Sequence, residues 1–173
     1  MARISYVERE NAPENIQAVY DQLKQKFGVV PNVLKGMANS PELFMGFMPF
    51  LGAALGPSKV DNATKELAII TTSKLNGCSY CTAHHTAAGR RAGLSDEKIN
   101  AAPDETSDAF NDREKAVVKY SRELAENVAA SQETLEELKK HFNEGQIAEL
   151  NLVNGVLHVL TRFADTFKIE LEK

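Results

Sequence analysis

The sequence predicts an all-α protein folded as a single domain. Apolar residues recur with the helical period along most of the chain, no useful length of it alternates apolar and polar residues, and potential helix caps separate the apolar runs. A length of 173 residues suits one domain with a sizeable core, and 43% hydrophobic and 25% charged residues are ordinary for a globular protein. With no repeat or low-complexity linker, we interpret residues 1–173 as one unit.

The first predicted helices lie before residue 56. Five apolar residues at positions i, i+3, i+4, i+7 and i+11 form one helical stripe: Ile16, Val19, Tyr20, Leu23 and Phe27. Gly28 can end that helix, because glycine adopts the left-handed conformation readily. Ser40 followed by Pro41 is typical of a cap and a first helical residue, and it opens the apolar segment 43–55. The most strand-like fragment, VVPN at 29–32, is too short to form a sheet.

The next segment predicts a hairpin of two helices. Asp61 can cap the first helix, and Asn76 and Gly77 can end it. The second helix is expected to begin at about Cys78 and to end near Gly93. The turn at residues 76–77 therefore places the two helices side by side.

Further caps divide the remainder of the chain. The potential N-caps are Ser95, Asn111, Ser131 and Asn143. Glu114 follows Asn111 by three residues and Gln146 follows Asn143 in the same way, which is the capping-box pattern. Residues 102–110 form the clearest loop, the helix after Ser131 is expected to end near Phe142, and the last helix is the longest.

The stretch NGCSYCTAHH at 76–85 contains both cysteines and two of the four histidines. At about 100° per residue, Cys78, Cys81 and His85 share one face of a helix, whereas His84 points away from it. The start of a helix favours a thiolate at Cys78. Cys81 lies one turn before His85, so the two can exchange a proton.

Glu66 belongs to the preceding helix and can join this group. In an antiparallel hairpin it lies opposite about residue 87, near His85 (at a rise of about 1.5 Å per residue). A carboxylate in an apolar helix needs a partner, and His85 is the obvious one. A chain from Glu66 through His85 to Cys81 would form a proton relay. The alternative is a solvated Glu66 paired with Lys65 or Lys74.

Three interpretations of the cysteine pair compete: a redox dithiol, a zinc site and two buried apolar residues. Zinc would take Cys78, Cys81 and His85, but no second CxxC or spaced histidine pair follows. The net charge of −4 and the lack of a basic face argue against nucleic acid as a partner. We also find no glycine-rich phosphate loop, and we expect neither a cofactor nor a metal.

We expect a cytoplasmic protein. The first residues, MARISYVERENAP, lack the apolar core of a secretory signal. The apolar segment 43–55 is too short for a membrane span. In the cytoplasm a CxxC pair is more often redox-active or metal-binding than a permanent disulfide.

The spacing of Glu66, Cys78, Cys81 and His85 resembles the motif of the AhpD-like, carboxymuconolactone-decarboxylase-related superfamily, in its peroxidase-related branch. Segments such as FGVVPNVLKGMANSPELF and LNLVNGVLHVLTRFADTF are also similar to that branch, so the resemblance covers most of the chain, about residues 10–170. It implies an all-helical protomer that forms homo-oligomers. The apolar segment 43–55 fits an oligomer interface.

The resemblance further implies a thiol-dependent hydroperoxide reductase. Its catalytic residues would be Cys81 as the attacking thiolate, Cys78 as its partner, His85 and Glu66. The substrate would be a small hydroperoxide, and the electron donor an external dithiol, a lipoyl group or a thioredoxin-like protein. The well-studied alkylhydroperoxidases of this fold carry a histidine between the cysteines, where this chain has Tyr80.

Two other functions remain open at this point. One is a non-catalytic oligomeric redox sensor or thiol–disulfide protein. The other is a carboxymuconolactone-decarboxylase-like enzyme, although that branch generally lacks the cysteine pair.

Overall fold

The computed structural model describes residues 1–172, which contain nine α-helices, one short 3-10 helix (Arg9–Asn11) and no β-strand. The helices are α1 (Glu14–Phe27), α2 (Asn32–Met37), α3 (Pro41–Leu55), α4 (Asn62–Leu75), α5 (Ser79–Arg91), α6 (Asp96–Ala101), α7 (Asp112–Asn127), α8 (Gln132–Lys139) and α9 (Glu144–Thr166). The all-α prediction is confirmed. No helix in this described range is long and apolar enough to cross a membrane.

Most predicted helix starts coincide with hydrogen-bonded caps. Five side chains accept a hydrogen bond from the backbone N–H three residues ahead: Asp61, Ser95, Asn111, Ser131 and Asn143. Both predicted capping boxes are present. Ser40 is the N-cap residue of α3, with Pro41 in the first turn, but its side chain makes no cap hydrogen bond. Gly28 ends α1 at a φ of 81°, as expected.

The structure differs from the sequence prediction at three places. Helix α2 was not predicted; it lacks a side-chain cap hydrogen bond and exists because Val33 and Leu34 are buried against the rest of the protein. Helix α8 ends at Lys139 rather than near Phe142, since the chain must unwind before the cap of α9. Cys78 is the extended N-cap residue of α5 rather than a first-turn residue, so it does not share the regular face of the helix.

Helix α4 is the centre of the fold. It packs against α5, α7 and α9 and is buried over most of its length. Lys65 is buried with it, and its ammonium lies 2.8 Å from Glu149 and donates to the carbonyls of Ala54 and Gly56. The interpretation that Lys65 pairs with Glu66 is therefore wrong.

Lys74, the other lysine considered as a partner of Glu66, has a different role. Its ammonium donates to the carbonyl oxygens of Ile99 and Ala102, at 2.5 and 2.8 Å. It therefore ties the end of α4 to the end of α6. Neither Lys65 nor Lys74 pairs with Glu66, so this carboxylate is free to contact a residue of α5.

Val128 has a strained backbone. It ends α7 at a φ of 69° and its side chain is 86% exposed. An L-residue in the left-handed region costs about 1–2 kcal/mol, whereas glycine costs nothing there. Glycine also increases the conformational entropy of the unfolded chain, which offsets part of the relieved strain. We therefore expect Val128→Gly to stabilise the protein by a net of about 0.5–1 kcal/mol. Urea unfolding measures this change.

Val159 offers the matched control. It is also exposed, but it lies inside α9. Val159→Gly should therefore destabilise the protein, because glycine disfavours a helix interior. If Val128→Gly and Val159→Gly destabilise the protein equally, the backbone of Val128 is not strained.

Candidate active site

The two cysteines meet where the hairpin turn enters α5. Gly77 has a φ of 69°, and Cys78 follows it in extended conformation. Cys78 and Cys81 are bonded as a disulfide, and their Cα atoms lie 5.4 Å apart, an ordinary separation for such a bridge. The N–H of Cys81 also donates to Sγ of Cys78 at 3.2 Å. This hydrogen bond would stabilise a Cys78 thiolate after reduction.

Glu66 and His85 are in direct contact, as the hairpin arrangement predicts. Oε2 of Glu66 lies 2.8 Å from Nδ1 of His85, and both side chains are mostly buried. Gly89 lets α5 lie close to α4 near this contact: a Cβ atom there would lie 3.0 Å from the side chain of Ile70 and 3.2 Å from that of Leu94. The sequence does not reveal this role of Gly89, because a lone helical glycine carries no sign of what packs on it.

The Glu66 contact determines which nitrogen of His85 can act as a base. A carboxylate beside Nδ1 holds the proton on that nitrogen, and Nε2 keeps its lone pair. Such an imidazole can accept a thiol proton at Nε2 while Glu66 stabilises the imidazolium that forms. The Glu66–His85 pair therefore has the chemistry of a proton relay, on the helix that also carries Cys81.

Tyr80, between the cysteines, points into the protein rather than to solvent. Its hydroxyl donates to Oε1 of Glu172 at 2.8 Å and accepts from the N–H of Val33 at 3.3 Å. Burial, and then the hydrogen bond to Glu172, raise the pKa of Tyr80. The phenol is therefore a hydrogen-bond donor at neutral pH. Sequence analysis had no signal for this contact, which joins residues 92 positions apart.

Glu172 has two further neighbours. Its Oε1 accepts from the N–H of Asn32 at 2.6 Å, and its Oε2 lies 2.8 Å from Nε2 of His84. The His84 contact has the distance of an ion pair but not the alignment of a hydrogen bond. Burial opposes ionisation, but the hydrogen bonds from Asn32 and Tyr80 and the electrostatic interaction with His84 outweigh it and lower the pKa of Glu172. Glu172 is therefore a carboxylate at neutral pH.

A small cavity leads to the dithiol. It has a volume of about 110 Å³, and Cys78 is the cysteine that lines it. Its other lining residues are Ser79, Tyr80, Ala164, Asp165, Lys168 and Ile169. Both cysteines are nearly inaccessible, with 1% of Cys78 and 5% of Cys81 exposed. A reactant must therefore be small or must displace part of this wall.

Asn76 holds the turn that precedes Cys78. Its amide nitrogen lies 3.1 Å from Nδ1 of His158 and donates to Oγ1 of Thr161 at 2.9 Å. Burial and then the nearby Arg162 lower the pKa of His158, so its ring stays neutral. Its Nδ1 accepts hydrogen bonds from the amide of Asn76 and from the guanidinium of Arg162. The sequence predicts no role for His158, but in the structure its ring holds Asn76 and so positions the turn that precedes Cys78.

The zinc interpretation required Cys78, Cys81 and His85 to converge. In the structure Nδ1 of His85 faces Glu66 and the two sulfurs are bonded to each other. Among residues 1–172, no group of three or more histidine, cysteine, aspartate or glutamate side chains is arranged to hold a metal ion.

Part of the chain matches a known protein family, and its fold matches several solved structures. Residues 41–123, which include all four motif residues, match the carboxymuconolactone decarboxylase family. The chain is 27% identical over 110 residues to "Uncharacterized protein YdfG" of Bacillus subtilis, a match that covers 62% of this chain and 75% of that protein.

Solved structures share the fold at low sequence identity. One is the AhpD core of an uncharacterized peroxidase-related protein from Ralstonia eutropha, with a TM-score of 0.89 and 20% identity over 99% of this chain and 93% of that one. Another is the debrominase Bmp8, whose structure contains 2,3,4-tribromopyrrole, with a TM-score of 0.84 and 22% identity over 98% and 91% of the two chains.

Proposed function

The chain belongs to the AhpD-like, carboxymuconolactone-decarboxylase-related superfamily, and from this membership we propose that it is a thiol-dependent hydroperoxide reductase. The observation that carries the proposal is the Glu66–His85 contact, made by a histidine that follows Cys81 by one turn of α5, on the helix that begins at the Cys78–Cys81 disulfide. A permanent structural disulfide would not need a carboxylate–imidazole pair next to it.

In the proposed reaction, the thiolate of one reduced cysteine attacks an oxygen of the hydroperoxide. The O–O bond breaks, the cysteine becomes a sulfenic acid, and the leaving oxygen takes a proton and departs as an alcohol or water. The second thiol then condenses with the sulfenic acid, releasing water and forming the Cys78–Cys81 disulfide. An external dithiol, such as a lipoyl group or a thioredoxin-like protein, reduces the pair by exchange and is itself oxidised.

The proton steps use the relay from Glu66 through His85. Nε2 of His85 takes the proton of the attacking thiol, while Glu66 stabilises the charged ring through Nδ1. The same proton is then available for the leaving oxygen. We assign the attack to Cys81, which lies one helical turn from His85, and the resolving role to Cys78.

Oxidation of the purified, reduced protein tests the proposal. Mild hydroperoxide should remove both free thiols and lower the mass by two hydrogens, because the two Cα atoms already have the separation of a disulfide. The control is protein alkylated at both cysteines before peroxide is added, whose mass should stay constant. Persistence of both thiols in the folded, peroxide-treated protein would refute the dithiol chemistry.

Steady-state turnover then separates an enzyme from a sensor. A reductase should consume a panel of hydroperoxides over many cycles with dithiol donors, including a lipoyl compound. A redox sensor should oxidise once and consume no further peroxide. A single oxidation without further peroxide consumption would favour the non-catalytic redox sensor.

Helix α3 supports the proposal that the protein is a homo-oligomer. Leu43 is 74% and Phe50 40% exposed on this helix, although it is the most apolar of the chain. Burial of such side chains stabilises an interface by about 25 cal/mol per Å². We expect the double variant Leu43→Glu with Phe50→Glu to have a lower mass by light scattering than the unmodified protein.

Phe27→Glu is the control for this experiment. Phe27 is also exposed, but it lies at the end of α1. We expect the Phe27→Glu variant to have the same mass by light scattering as the unmodified protein. An unchanged mass in the α3 variant would place the interface elsewhere or show that the protein is a monomer.

A further inference from the structure

The residues after α9 return to the dithiol and cover it. The N–H of Arg3 donates to the carbonyl of Phe167, and the amide of Asn32 donates to the carbonyl of Glu170 at 3.0 Å. Ile169 is buried and lines the cavity next to Cys78. This C-terminal segment (residues 167–172) therefore forms part of the wall that hides the cysteines.

The segment ends in a contact made by a carboxylate. Glu172 accepts hydrogen bonds from the N–H of Asn32 and the O–H of Tyr80, and its other oxygen faces the imidazole of His84. The side chain of Glu172 is only 15% exposed. Tyr80 and His84 both belong to the helix that carries the cysteines, and their rings pack together with centroids 4.5 Å apart. Two of the three residues that contact the Glu172 carboxylate thus belong to the helix of the dithiol, and the third, Asn32, begins α2.

The chemistry of these neighbours is selective for a carboxylate. Two donors converge on one oxygen and an imidazole faces the other, which matches a planar anion with two oxygens. Tyr80 is oriented by the N–H of Val33, so its hydrogen is directed to the ligand. Nε2 of His84 is buried and lacks an aligned acceptor. A free carboxylate, whose orientation the C-terminal segment does not restrict, could accept an aligned hydrogen bond from Nε2 of His84.

We propose that Asn32, Tyr80 and His84 form a carboxylate-binding site beside the dithiol, which Glu172 occupies as an internal ligand and which a carboxylate-bearing small molecule takes by displacing the C-terminal segment. Displacement moves Ile169 and Lys168 away from the cavity and opens the path to Cys78. Tyr80 contacts both the site and this cavity, so a ligand held there extends toward the sulfurs. Resting on the proposed function, the substrates are hydroperoxides that carry a carboxylate.

An internal ligand lowers the apparent affinity for an external one. The apparent dissociation constant is the intrinsic constant divided by the fraction of molecules whose site is free. If Glu172 fills the site in nine molecules of ten, its removal tightens binding by about tenfold. Hexanoate is a suitable probe, and hexanamide is its uncharged counterpart.

Binding is measured on the disulfide-bonded protein of residues 1–173 without peroxide, by nuclear magnetic resonance of its histidine rings. We expect Glu172→Ala to bind hexanoate at least about tenfold more tightly than the unmodified protein. Hexanamide should bind neither protein measurably. Adding Tyr80→Phe to the Glu172→Ala variant should lose most of the gain, because one of the two donors to Oε1 is removed.

Glu170→Ala is the matched control. Glu170 belongs to the same segment, and its side chain lies 2.9 Å from the N-terminal ammonium group rather than in the site. This variant removes the same charge but leaves Glu172 in place, so its affinity for hexanoate should be unchanged. Glu172→Gln, which preserves the side-chain shape, provides a second variant if Glu172→Ala is unstable, and it should also bind hexanoate more tightly.

Two results would overturn the proposal: equal hexanoate affinity with and without Glu172, or an equal gain in Glu170→Ala. Because the assay contains no peroxide, it is independent of the proposed reaction. If the protein binds hexanoate as expected but turns over no peroxide, the proposed carboxylate site stands and the proposed reductase function is refuted. A reductase that fails the binding test would act on uncharged peroxides.

Discussion

Replacement of Cys81 by serine is expected to abolish peroxide turnover, because it removes the thiolate that we assign to the attack on oxygen. In the complementary variant Cys78→Ser, one oxidation should still occur and leave a sulfenic acid on Cys81, since no second thiol can condense with it. A dimedone-type probe should label this variant quickly. In Cys81→Ser, the same probe should label Cys78 slowly and incompletely.

Two features of the structure compete for the attacking role. The Cys81 N–H bonds to Cys78, and the helix start favours a Cys78 thiolate, an effect of about 0.3–1 kcal/mol. A positioned base such as His85 typically contributes about 10²–10⁴-fold in rate. Cys78 also lines the cavity. The larger effect favours Cys81; the reverse labelling pattern would assign the attack to Cys78.

Replacement of Glu66 by glutamine is expected to slow the reaction with peroxide at neutral pH by about 10²–10⁴-fold. Glutamine preserves the shape of the side chain but removes the charge that stabilises a protonated His85. The protein should remain folded and keep its oligomeric state. Stopped-flow measurement of thiol loss gives the rate.

Glu97→Gln is the control for Glu66→Gln. Glu97 is exposed in the first turn of α6, and its replacement should leave the rate unchanged. If Glu66→Gln reacts as fast as the unmodified protein, the Glu66–His85 contact is structural only. If both variants react slowly, the loss reflects net charge rather than the relay.

Features that depend on neighbouring residues followed from the sequence alone. Helix caps are one case: Asn111 and Glu114 form their reciprocal hydrogen bonds within four residues, so the pattern suffices to predict the helix start. The Glu66–His85 contact is another, because the short turn at Gly77 determines which residues of the two helices face each other.

The tertiary structure alone decided the features that depend on distant contacts. Helix α2 forms because other elements bury Val33. Tyr80 stands where well-studied alkylhydroperoxidases of this fold have a histidine, and only the structure shows that its partner is Glu172, 92 positions away in the chain. Cys78 became an N-cap residue because the chain must be extended where it enters α5. Local propensities determine where helices begin and end, but burial and long-range hydrogen bonds, which no sequence window contains, determine which side chains surround the dithiol.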